Sequence, residues 1–215
     1  MGKREATRRI PDGWVRARID AVMARREDEA SPQNEPERLF QVMTISQTGE
    51  IRAREAGKGR NPPEWLGAYF ADSPGSWFAA GNGDVVFSSI DLWKGCIALV
   101  PENFDGALVS KEFPIYEVTD PRLSPSFLQC LLRSRYYQRA FRAITTGHSN
   151  RRRTQAADFE ALEIMFPESR EEQERLIRGV QQTRDGLRTA AVELHQEFNR
   201  FSTSSMAGGT RSCPR

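Results

Sequence analysis

Asp84-Val85-Val86-Phe87-Ser88-Ser89, Cys96-Ile97-Ala98-Leu99-Val100 and Phe113-Pro114-Ile115-Tyr116-Glu117-Val118 are three short, largely apolar segments, separated by Gly, Pro and Asn. Runs of this length, rich in β-branched and aromatic residues and bounded by turn formers, read as strands. The middle of the chain is therefore β-rich. Downstream, Ser124-Pro125-Ser126 caps a helical pattern in which Phe127, Leu128, Leu131, Leu132, Tyr136, Tyr137, Ala140 and Phe141 recur at helix spacing. That helix is expected to pack on the sheet. A polar basic loop follows over residues 145–153, then a short segment over residues 159–166 closed by Pro167. Upstream, residues 39–45 read as a further strand ending in the turn Gln47-Thr48-Gly49, and residues 52–64, with Pro62-Pro63, as an exposed basic loop.

Residues 171–201 contain no proline and place Leu176, Val180, Leu187, Ala190, Leu194 and Phe201 at spacings of three, four and seven, with Thr183 and Glu197 as polar breaks. This is a heptad seam on one long helix. At ~1.5 Å per residue it runs roughly 45 Å, more than one domain face needs. The expected organisation is a loose lead-in over residues 1–9, an α+β domain over 10–170, a coiled-coil helix over 171–201 and a disordered tail over 202–215.

Bulk properties exclude several classes. With 31 Lys+Arg against 29 Asp+Glu in 215 residues the net charge is +2, so a nucleic-acid site has to be a local patch rather than a general basic excess. Arginine carries nearly all the positive charge, since lysine occurs only at Lys3, Lys58, Lys94 and Lys111. Cys96, Cys130 and Cys213 are too far apart for a zinc knuckle or a disulfide framework. No apolar run approaches the ~20 residues of a membrane span and the start is polar, so a soluble cytoplasmic protein is expected.

Catalytic motifs are weak. Asn61-Pro62-Pro63-Glu64-Trp65 resembles the Asn-Pro-Pro-aromatic turn of amino-methyltransferases, but Glu64 occupies the aromatic slot that would stack on the target base. The two histidines, His148 and His195, lie in a basic loop and in the long helix, and neither sits in a hydrolase or metal pattern. No catalytic residue, metal or cofactor is expected. The basic loops say more. Arg151, Arg152 and Arg153 adjoin Ser149 and Asn150, while Arg52, Arg54, Lys58, Arg60 and Asn61 form a second cluster, with Asp91 and Lys94 between strands. Guanidinium, hydroxyl and amide groups hold phosphates and read base edges, although solvated charge runs account for these residues equally well.

Gly83 to Ser88, Gly95 to Pro101, Asp105 to Ser110 with Glu112-Phe113, Phe127-Leu128 through Arg133-Ser134, Gly147 to Arg153, Asp158-Phe159 with Leu162, Ile164 and Pro167, and Glu171-Glu172-Gln173 resemble, in order, the successive elements of the target-recognition domain and spacer helix of type I restriction-modification specificity subunits. Pro11-Asp12-Gly13-Trp14 resembles the entry to such a domain. The resemblance covers residues 10–201. It implies a β-rich recognition domain with packed helices, followed by one long spacer helix that pairs through Leu176, Val180, Leu187, Leu194 and Phe201. It also implies a non-catalytic specificity subunit that binds double-stranded DNA and directs methyltransferase and restriction subunits, the assembled complex being an adenine methyltransferase and endonuclease. Specificity subunits usually carry two such domains and two helices, so one of each resembles a half subunit that forms a homodimer or pairs with another half. The competing class is an orphan coiled-coil scaffold with a degenerate recognition domain.

Overall fold

The structure, a computed structural model, describes residues 10–35, 37–54, 77–147 and 152–207, leaving aside the side chains of Gln33, His195 and residues 197–207. The chain divides into two compact units, Met1–Gln173 and Glu174–Arg215.

In the first unit, β1 (Trp14–Arg18), α1 (Ile19–Val22), β2 (Met23–Arg26) and β3 (Glu29–Ala30) lead to a hairpin of β4 (Met43–Ile45) and β5 (Ile51–Ala53). Then come β6 (Trp77–Ala80), β7 (Val85–Phe87), β8 (Ile97–Leu99), β9 (Ala107–Ser110) and β10 (Ile115–Val118). They are followed by α2 (Pro125–Leu132), α3 (Arg135–Ile144), α4 (Ala156–Glu160), β11 (Glu163–Pro167) and α5 (Arg170–Ala207). The fold is α+β, as expected.

The central sheet has the order β2-β10-β7-β8, all antiparallel. Its three expected strands are β7, β8 and β10. Val85, Val86 and Phe87 are all fully buried, so both faces of this sheet are covered and the period-two alternation is hidden in a continuous apolar run. Val86 and Ile115 face one cluster with Met43, Ile45, Ala98 and Val109. On the other side Phe87 and Tyr116 join an aromatic group, with Phe159 at 4.6 Å from Phe87 and 5.3 Å from Tyr116, and Phe141 at 6.0 Å from Phe159. The Tyr116 hydroxyl leaves this group to donate to Glu160 at 2.9 Å. Burial and that contact push its ionisation well above the ordinary range.

Two features depart from the sequence reading. The single expected helix is two helices, because Ser134 adopts an extended backbone and caps a new one, its hydroxyl accepting from the Tyr137 N–H. Ser124 caps α2 in the same way. The apolar spacing continues across the break, with Leu132 and Tyr137 both buried, which is why periodicity alone runs through it. Second, Arg52 lies in a strand rather than a loop, paired opposite Thr44.

β1 pairs with β11 along its whole length, from Trp14↔Pro167 to Arg18↔Glu163, so the two ends of the first unit close on each other. The first turn of α5 is tied to the same place. Gln173 is fully buried; its side-chain amide donates to the carbonyls of Arg122 and Pro167 and accepts from the Ser124 N–H.

In the second unit, α5 continues to Ala207, past the expected end at Phe201. Ser202 to Ala207 contain no helix breaker, the first being Gly208-Gly209. Along the expected seam Val180 is 53% exposed, Leu187 69% and Leu194 68%. Phe201 lies within the helix, and its side chain is outside the description.

Candidate nucleic-acid interface

Two glycines seat the β4–β5 hairpin against the rest of the domain. Gly49 has φ +72°, and a Cβ there would collide with the Arg133 guanidinium and lie 2.8 Å from the Ile97 carbonyl oxygen. Gly95 has φ +99°, and a Cβ there would lie 2.8 Å from the Gln47 carbonyl oxygen. Only glycine leaves room for the approach of hairpin tip to strand connection. The structure therefore brings the tip at residues 47–49 beside the 3-10 turn Leu92–Lys94, and α3 packs on that same turn.

The expected DNA-binding residues fall in three places. Arg52, on the hairpin, pairs with Glu50, which holds the Glu50 carboxyl below its usual range. Arg54 follows β5, and its N–H donates to the Val42 carbonyl. Asp91 precedes the 3-10 turn and holds the Lys94 ammonium at 2.8 Å, which raises Lys94 further above its ordinary value. Arg153 stands on the far side of the basic loop, bridged to Thr146, with its guanidinium on Glu112. It lines an open cleft with Arg25, Ser89 and Lys111. Arg152 is exposed beside it. Lys58, Arg60, Asn61, Ser149, Asn150 and Arg151 lie outside the described residues, as do the Asn61-Pro62-Pro63 turn and His148. The hairpin and the Asp91–Lys94 turn are thus drawn together, whereas Arg153 belongs to a separate cleft. Arg52, Lys94 and Arg153 each already face a carboxylate.

A basic face that the sequence reading does not single out lies on α3. Arg135, Arg139 and Arg142 are exposed, and with Gln138 and Trp93 they line an open groove of about 370 Å³. Its sequence signal is Arg135, Gln138, Arg139 and Arg142 at i, i+3, i+4 and i+7. The apolar stripe of the same helix, which carries the helix assignment, masks that signal. The Trp93 ring is flanked by two cations, Lys94 Nζ at 5.3 Å and the Arg142 guanidinium at 5.7 Å from its centroid.

Groups suited to holding a metal ion are not drawn together among the described residues. Burial pushes the Cys96 thiol up to about 11, so it stays protonated at neutral pH. No three His, Cys, Asp or Glu side chains among those residues are placed to hold a metal ion. No helix among them is long and apolar enough to cross a membrane.

No protein-family model and no curated protein matches the sequence. Solved structures do match. The HsdS subunit from Thermoanaerobacter tengcongensis superposes with a TM-score of 0.72 at 20% identity, over 98% of this chain and 54% of that one. A structure solved for complex assembly and conformational transition of the type I R-M system gives 0.73 at 19% identity, over 96% of this chain and 53% of that one. The type I restriction-modification system S subunit from M. genitalium gives 0.50 at 17% identity, over 91% and 44%. The chain spans about half the length of these structures. Over nearly its whole length, its fold is the fold of type I restriction-modification S subunits.

Proposed function

We propose that this chain is a DNA-reading specificity subunit, or half of one, of a type I restriction-modification system. It selects the target and contributes no catalytic group, while methyltransferase subunits and, through them, a restriction subunit act on the site it holds. The observation that carries this reading is the match of fold to S subunits across 98% of the chain, long helix included. Two further features support it: the glycine-seated hairpin beside the Asp91–Lys94 turn, and the exposed apolar seam of α5. Arg52, Arg54, Lys58, Arg60, Asn61, Asp91 and Lys94 are the base-reading set. Ser149, Asn150 and the arginines 151–153 hold phosphates, since three adjacent side chains do not all enter one groove. Arg52, Lys94 and Arg153 exchange their carboxylate partners for DNA on binding.

The seam at Leu176, Val180, Leu187, Leu194 and Phe201 pairs with a second long helix, from another copy of this chain or from another half subunit. An antiparallel homodimer carries two identical readers about a two-fold axis. Its target is then a split palindrome. Selection of bound duplexes from a random library tests this directly: enrichment of two inverted half-sites at fixed spacing is expected. Enrichment of no motif would contradict sequence-specific reading and favour the scaffold alternative.

A further inference from the structure

The geometry points to the outer face of α3, formed by Arg135, Arg139 and Arg142 with Trp93 beside them, as a second DNA surface that tracks the phosphates of one strand of a duplex. This deepens the proposed function and rests on it, because it assumes that the chain binds duplex DNA.

What sets this face apart is the state of its charges. Many cations elsewhere in the domain are engaged: Arg18 with Asp20, Arg26 with Asp28 and Asp84, Arg38 with Glu35, Arg122 with Asp120 and Glu168, and Arg153 with Glu112. Arg135, Arg139 and Arg142 have no carboxylate partner among the described residues, and no acidic side chain among those residues lines their groove. In a chain with net charge of only +2, three exposed guanidiniums left unneutralised on one helical face are a local positive field.

Spacing favours a regularly charged polymer over a single anion. At ~1.5 Å rise per residue, Arg135 to Arg139 advances about 6 Å and Arg139 to Arg142 about 4.5 Å, roughly 10.5 Å in all. One strand of duplex DNA presents a phosphate every ~3.4 Å of axis, so the three side chains span about three phosphate steps. Arginine rather than lysine at all three positions suits forked contacts to phosphate oxygens. Trp93 supplies an apolar wall. With Arg142 over its ring at 5.7 Å, the indole positions that guanidinium by cation–π attraction while leaving its N–H donors available. Gln138 lines the same groove, its side-chain amide also donating to the Arg133 carbonyl at 3.4 Å.

Phosphate contact adds affinity without adding sequence preference, and its signature is the salt dependence of binding. The test uses the full chain and a short random-sequence duplex, with affinity followed by fluorescence anisotropy across a salt series. The triple variant Arg135→Gln, Arg139→Gln, Arg142→Gln should lower the slope of log affinity against log salt by about 0.9 for each phosphate no longer neutralised, up to about 2.7. The three single variants should each account for a part of that decrease, which keeps the test valid if the triple variant folds poorly. Arg18→Gln and Arg38→Gln, which remove exposed but ion-paired arginines, should leave the slope unchanged. A wild-type chain that binds duplex DNA while the triple and single variants retain its slope would overturn this assignment and leave the specificity-subunit reading standing. A wild-type chain that binds no duplex DNA at low salt would overturn that reading and this surface with it.

Discussion

Gln173 shows how one side chain can fix where the long helix begins. Its amide bridges the Ser124 N–H that starts α2 and the carbonyls of Arg122 and Pro167, at 2.8, 2.8 and 2.7 Å. Gln173→Ala leaves these groups unpaired around a fully buried position, at a cost of roughly 1–3 kcal/mol for each one left unsatisfied. The denaturation midpoint in urea should fall accordingly, and an unchanged midpoint would remove the tie from the account. Gln173→Glu sets a carboxylate against two carbonyls, so its deficit should shrink when acid restores a donor. Beside it, Arg122 hydrogen-bonds Asp120 and holds that carboxyl below its ordinary range, burial opposing only in part. A depressed carboxyl contributes stability above its unfolded value and loses it as pH falls through the folded value. Thermal midpoints should therefore drop below about pH 4, and Asp120→Asn should flatten that acid limb; an identical limb in the variant would show that this pair is not its source. Little of this is legible in sequence. Gln173 stands out there only within Glu171-Glu172-Gln173, because its partners at 122 and 124 lie some fifty residues away. The Arg52–Glu50 pair is a near neighbour in sequence, whereas Arg153–Glu112 spans 41 positions and needs the fold.

At the scale of elements, α5 is the most readable part of the chain and its pairing is the most exposed to test. Gly179 and Gly186 sit inside it with open space about them, and each mid-helix glycine costs about 0.5–1 kcal/mol relative to alanine. In the proposed pairing, a helix so weakened, with Val180, Leu187 and Leu194 exposed, would gain its order from a partner rather than from intrinsic propensity. Leu187→Asp should break that assembly: the leucine's burial is worth roughly 1.5–3 kcal/mol, and the carboxylate that replaces it is buried unpaired. Sedimentation should show the wild-type chain associated and the variant monomeric; a wild-type monomer, with or without methyltransferase subunits, would assign the seam another role. The central strands are equally readable, since β7 and β8 are continuous apolar runs and β10 is apolar apart from Glu117. β9 escapes a sequence reading, though Ala107, Leu108 and Val109 are all buried, because the three residues between Gly106 and Ser110 carry too short a pattern. The β1–β11 pairing joins positions about 150 residues apart, and no local signal announces it. The α2–α3 break turns on Ser134 alone, a capping residue inside an uninterrupted apolar stripe.

For the whole molecule, the proposed function is a division of labour in which this chain would choose the DNA site and its partners would do the chemistry. The sequence carries the ordered resemblance and the fold supports it over nearly the full length, while the identity of the bases read depends on loop side chains whose placement no pattern encodes. The most direct measurement is methylated-adenine mapping of a plasmid incubated with methyl donor and the chain alone, the cognate methyltransferase subunits alone, and the two together. No methylation is expected from either alone, and methylation confined to one sequence motif is expected from the mixture, with the motif weakened when Arg52 and Lys94 are replaced by glutamine. Methyl transfer by this chain alone, or methyltransferase activity whose pattern is the same with and without it, would contradict the account.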